Sequence, residues 1–277
     1  MTISVHTNSA ALTALQNLNN TNTDLTATQN RVSTGMKISS AKDNASVWSI
    51  AQGQRADIGA LNAVKTSLDR ATSIADVALT AGQSVSDLLT QVKEKVVAAM
   101  DPSLDVASRN ALNSDFQSLL RQIGQVVTNA QFDGANILDG SLSSDINFLA
   151  NADGSGFITL GVKDMSFGGG IMTLASTATI GTSVDATAVL VDIESSLANV
   201  DQSLGDIGAQ ARQIEAHNKF VGKLSDTLET GVGNLVDADL AKESAKLQAL
   251  QVQQQLGAQA LSIANSAPQI VLSLFKG

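Results

Sequence analysis

Apolar residues recur every seven positions at the start of the chain, at Ala11, Leu18, Leu25 and Val32, with Leu15 between them. At the far end Ala249, Val252, Leu256, Ala260, Ile263, Ala267, Ile270 and Leu274 advance by threes and fours, which puts them on one side of a helix. Between these ends, helix-forming sequence from about Asn44 to Met100 predicts one very long helix, about 80 Å at 1.5 Å per residue. Asp101 and Pro102 break it. A second helix is predicted from about Leu104 to Asn129, and a third from about Thr187 to Thr230, where Gly231 and Gly233 supply a stop. Asp133-Gly134 and Asp139-Gly140 are turn signals, and from about Asp145 to Ile180 glycines separate short β-prone pieces such as 157–162. The expected fold is mainly α: long antiparallel helices in a rod-like coiled-coil bundle, with a small β-hairpin insert and terminal helices that pair. The expected segments are 1–43, 44–140, 141–185, 186–232 and 233–277.

Composition supports helices and then adds something periodicity does not. The chain is 43% hydrophobic but only 3% aromatic, so its core is built from aliphatic side chains, and its two prolines leave long stretches free to stay helical. Charge is distributed unevenly. Residues 1–23 and 247–275 contain no Asp, Glu, Lys or Arg, although both stretches are rich in Asn, Gln, Ser and Thr. Water-facing helices normally carry charged i,i+4 pairs. Two uncharged helical ends therefore predict faces buried against other helices, and these residues are the candidate assembly surface.

The net charge of −9, without any cluster of Lys and Arg, argues against a nucleic-acid partner. No stretch reaches the 18 or so apolar residues of a membrane span, so membrane insertion is not expected. The first 20 residues lack the basic, apolar and small-residue pattern of a secretory signal peptide. With no cysteine, disulfides, thiolate metal sites and cysteine nucleophiles are all excluded.

Catalytic machinery is not legible. His6 and His217 have no second His or paired carboxylate at ligand spacing. No HExxH, GxxxxGK or GxSxG pattern occurs, and the glycines at 154–156, 168–170 and 231–233 read as turns. No catalytic residue, cofactor or metal site is expected. Trp48, the single tryptophan, is expected to be a packing residue.

The run from His6 to Leu12, the run Arg31-Val32-Ser33-Thr34-Gly35-Met36-Lys37-Ile38-Ser39-Ser40-Ala41-Lys42-Asp43-Asn44-Ala45, and Gln131-Phe132-Asp133-Gly134-Ala135-Asn136-Ile137-Leu138-Asp139-Gly140 resemble the signatures of bacterial flagellins. The closing run from Asp239 to Leu274 is similar to that family's C-terminal helix. The resemblance covers essentially the whole chain. It implies a secreted, non-enzymatic subunit that polymerises with copies of itself, or with other flagellins, into an extracellular flagellar filament for motility. Its assembly interface would comprise Ala11, Leu15, Leu18, Leu25, Val32, Ala249, Val252, Leu256, Ile263, Ile270 and Leu274. The resemblance further implies type III export with a flagellar chaperone, and contacts with filament cap and hook-junction proteins. O-glycosylation at Thr177, Thr179, Ser183 or Thr187 is a further expectation. Only about 45 residues separate the helical halves, so large outer domains are expected to be missing. The alternative reading is a hook-filament junction protein.

Overall fold

The computed structural model describes residues 7–274, with side chains described up to residue 266. In chain order the elements are α1 (Ser9–Thr34), α2 (Ala45–Ala99), α3 (Val106–Asn129), β1 (Ile146–Leu149), β2 (Phe157–Leu160), α4 (Ser183–Val236) and α5 (Leu240–Leu274). They divide into two compact units, residues 1–56 with 227–277, and residues 57–226.

The unit of residues 57–226 is a heptad-packed set of helices. On α2 the buried residues Leu61, Val64, Leu68, Ala71, Ala75, Ala78, Val85, Leu89, Val92 and Val96 step by threes and fours along one seam. Gly82 holds the seam position between Ala78 and Val85 because Leu204 lies against its backbone: a Cβ there would stand 2.5 Å from Leu204 Cδ2. On α4 the matching row is Ala186, Val189, Ile193, Val200, Ile207, Ile214 and Val221. Lys93–Glu194 at 2.9 Å, Ser86 donating to Asp201 at 3.0 Å and Asn218 donating to Asp69 at 2.6 Å fix α2 and α4 antiparallel. Phe116, Leu120, Ile123 and Val127 of α3 are buried on the same period.

The expected break after α2 is built from side chains as well as from Pro102. Asp105 caps α3 by accepting from Ser108 N at 2.7 Å. The buried Arg109 guanidinium donates to the Ala99 and Asp101 carbonyls and so satisfies the end of α2.

The insert holds the expected small hairpin, and the remainder of it is irregular. Its hairpin pairs Ile146 with Leu160 through Leu149 with Phe157, antiparallel. Residues 161–182 carry no strand and are held by buried Met165, Met172, Leu174 and Ile180. The buried Ser196 hydroxyl, in an α4 seam position, accepts from Thr173 N and Leu174 N, so this irregular backbone takes its hydrogen bonds from a helix side chain rather than from a strand partner.

The expected stop at Gly231 and Gly233 is not there. Helix α4 runs through both to Val236. One helical glycine costs only about 1 kcal/mol relative to alanine, and buried Val232 and Val236 carry the helix past them. The break comes where Asp237 pairs with Met36 and where Asp239 caps α5 by accepting from Ala241 N and Lys242 N at 3.0 and 3.1 Å.

Candidate assembly interface

In the unit that holds the two ends, α1 and α5 form an antiparallel pair. Gly35 ends α1 in the left-handed region, φ 71°, its N–H donating to Arg31 O at 2.9 Å. The chain then pairs with the segment before α5. Lys37 N donates to Val236 O and Ala238 N donates to Gly35 O, both at 2.8 Å. This bridge sets the register for the whole pair. Moving up α1 from it, Arg31 meets Glu243 at 3.4 Å, Asn22 accepts from Gln254 at 2.7 Å, Leu18 packs against Gly257, and Asn8 donates to Ala264 O at 2.7 Å.

The α1 side of the seam is the row expected from sequence. Leu25 is buried and Ala11, Leu18 and Val32 are half-buried, whereas Leu15 points away and is exposed. The α5 side is a different row. Leu247, Gln254, Gly257 and Leu261 are half-buried and Leu250 is buried, spaced by threes and fours. Ala249, Val252, Leu256 and Ile263 lie two positions along from these, roughly on the far side of the helix at 100° per residue. Val252, Leu256 and Ile263 are 54, 63 and 65% exposed. The side chains of Ile270 and Leu274 lie outside the described ones.

Helix α5 thus carries two apolar faces, one covered by α1 and one bare. Periodicity hid the covered row because Gln254 and Gly257 interrupt it. In the fold Gln254 has Asn22 as partner, and Gly257 lets Leu18 come so close that an added Cβ would be 3.3 Å from its Cδ1. A long apolar face left in water is unfavourable.

Trp48 is half-buried near the start of α2. Asp43 is pinned just before it, one carboxylate oxygen accepting from both the N–H and the hydroxyl of Ser39 and Ser40. The Ser40 and Ser39 backbone donors hold its carboxyl below the usual 3.8.

His217 does structural work: its Nε2 lies 2.8 Å from Ala150 O and its ring meets Phe220, tying the end of β1 to α4. His6 lies outside the described residues. Among the described residues no three His, Cys, Asp or Glu side chains group to hold a metal ion, and no helix is long and apolar enough to cross a membrane. Thr177, Thr179 and Thr187 are exposed and Ser183 half-buried, and the Thr187 hydroxyl donates to Ser183 O at 2.8 Å.

Residues 5–143 match the bacterial flagellin N-terminal helical region, and residues 190–275 match the bacterial flagellin C-terminal helical region. The flagellin FljJ of Caulobacter vibrioides is 56% identical over 279 residues, covering 100% of both chains. A flagellin of Brucella melitensis is 40% identical over 289 residues, covering 99% of each. Among solved structures, a putative flagellar hook-associated protein from Vibrio parahaemolyticus has a TM-score of 0.54 at 14% identity, covering 70% of this chain and 100% of that one, which is a likeness of fold alone. With helical regions matched at both ends and flagellins aligned along its whole length, the chain belongs to the bacterial flagellin family.

Proposed function

We infer that this flagellin, a structural subunit of the extracellular filament that drives bacterial motility, assembles through the outward face of its α1–α5 pair. One observation carries this reading: α5 keeps a second apolar row, Ala249, Val252, Leu256 and Ile263, exposed after α1 has covered the first. A lone subunit gains nothing from that row, whereas burying it against neighbours favours the polymer. The lack of charge suits the same role, because an unpaired charge in a helix–helix contact is costly. The α1 residues Ala11, Leu18, Leu25 and Val32 contribute from behind, by holding α5 in place. Ile270 and Leu274 continue the outward row in sequence.

Segments 1–43 and 233–277 then form the filament core, and 44–140, 141–185 and 186–232 the part outside it. Before assembly the bare row needs a cover, the role of a flagellar export chaperone, and the finished filament meets cap and hook-junction proteins. The chain acts as scaffold and not as enzyme, and takes no cofactor. Thr177 and Thr179, exposed between the hairpin and α4, and Thr187, exposed in the first turns of α4, are acceptors for O-linked sugar, with Ser183 less accessible. Co-assembly with other flagellins follows from a surface of small and aliphatic residues, which tolerates conservative replacement.

Purified chain added to filament seeds should elongate them without limit, as seen by electron microscopy. Elongation that stops after one or a few subunits would support a junction role and overturn this assignment.

A further inference from the structure

We propose that Leu12 and Leu15 of one copy enter the groove between α1 and α5 of the next copy, so that the contact is head-to-tail. The proposal rests on the assembly reading above and specifies which surface of one subunit meets which surface of another. The groove has a volume of about 650 Å³ and is walled by Ala10, Thr13, Ala14 and Asn17 on α1 and by Leu256, Gly257 and Ala260 on α5, so Leu256 of the bare row forms its α5 rim. It stays open because most of its other wall residues are small. Gly257 adds nothing above the backbone, and Leu18, which packs against it, belongs to the seam beneath. The space takes two aliphatic side chains. Its lining contains no charged group, so an apolar occupant pays no cost of stranding an ion.

The plug sits on the other flank of the same helix. Leu12 is two residues beyond Ala10 and Leu15 two beyond Thr13, so each is turned about 160° away from the groove wall. They are 59 and 43% exposed, and the residues around them, Gln16, Asn19 and Asn20, are uncharged. One side of the α1–α5 pair is therefore a socket and the opposite side a plug. A twofold contact would engage only one of the two opposite sides, plug against plug or socket against socket, and so would never put the leucines into the groove. A head-to-tail contact fills both, and repetition of such a contact without closure generates a filament.

The absence of cysteine makes the arrangement directly readable. Leu15→Cys and Thr13→Cys chains, made separately, are copolymerised in equal amounts on seeds and oxidised, and the products are separated without reductant and identified by peptide mass spectrometry. A mixed disulfide between position 15 of one chain and position 13 of the other is expected in filaments, and neither in the unpolymerised mixture nor in filaments of one variant alone. Filaments without that product, or filaments in which Leu15→Cys chains link to one another, would overturn the arrangement. Capture of Thr13→Cys by Val252→Cys instead would overturn it in favour of the α5 row as plug.

Should the cysteine chains fail to assemble, Leu15→Met must keep the unmodified critical concentration and Leu15→Ser must raise it about tenfold; equal behaviour of the two contradicts the proposal. Failure of the unmodified chain to elongate seeds would be a separate result, against the assembly reading itself.

Discussion

Replacing Leu256 and Ile263 together by serine separates the two apolar faces of α5. Both side chains keep about two thirds of their surface exposed in the single chain, at 63 and 65%. Full burial of such a side chain is worth about 1.5–3 kcal/mol, so covering the remaining two thirds is worth roughly 1–2 kcal/mol each. Together they contribute about 2–4 kcal/mol per added subunit. At a factor of ten per 1.4 kcal/mol the critical concentration should rise roughly 30- to 700-fold. The unassembled chain should hardly notice, because exposed substitutions usually change stability by less than about 0.5 kcal/mol. Leu250→Ala is the contrast. Leu250 is 6% exposed and faces α1, so truncation should cost about 2–5 kcal/mol of the α1–α5 pairing itself. Pelleting of seeded protein over a concentration series gives the first quantity, and thermal melting by circular dichroism gives the second. Unchanged assembly by the double variant, or a melting loss as large as that of Leu250→Ala, would refute the division of α5 into a covered and a bare face.

Three other outcomes test the rest of the structure. Gly140→Ala should destabilise by about 1–3 kcal/mol, since φ is 70° and the new Cβ would stand 2.8 Å from Asp164 Oδ2, whereas Gly205→Ala, with nothing within 4 Å, should gain about 0.5–1 kcal/mol; denaturant midpoints decide between the signs. Phe116→Ala empties a fully buried site in α3 and should cost about 3–5 kcal/mol in the same assay, and a loss below 1 kcal/mol would place Phe116 outside the core. Asp43 should titrate below 3.8 because Ser40 and Ser39 donate to its charged form. Its stabilising effect is then full above the unfolded-state value and lost as pH falls through the lowered folded-state value; an NMR midpoint at or above 3.8 would contradict these hydrogen bonds.

Much of the fold was legible because the helices obey local rules. The sequence places α2 from about Asn44 to Met100, and the helix spans Ala45–Ala99, opened by Asn44 accepting from Val47 N at 3.1 Å. The β-prone piece at 157–162 contains β2. What could not be read depended on partners distant in sequence. Whether Gly231 and Gly233 stop a helix is decided by burial of Val232 and Val236, not by the glycines. The irregular segment after β2 depends on Ser196, and His217 finds its acceptor at Ala150, 67 residues away. For the assembly surface, periodicity located α5's exposed row but could not show that α1 packs on another. That second row became visible only when Gln254 met Asn22 and Gly257 met Leu18.

The central claim is that the two ends build the polymer, and removal of residues 247–277 tests it most directly. This deletion takes away both faces of most of α5 and leaves residues 57–226, with their heptad seams, intact. Seeded with filament fragments and viewed by electron microscopy, the full chain should give open-ended filaments, while the truncated chain should stay soluble and monomeric with its helical melting transition retained. Filaments from the truncated chain would contradict the claim.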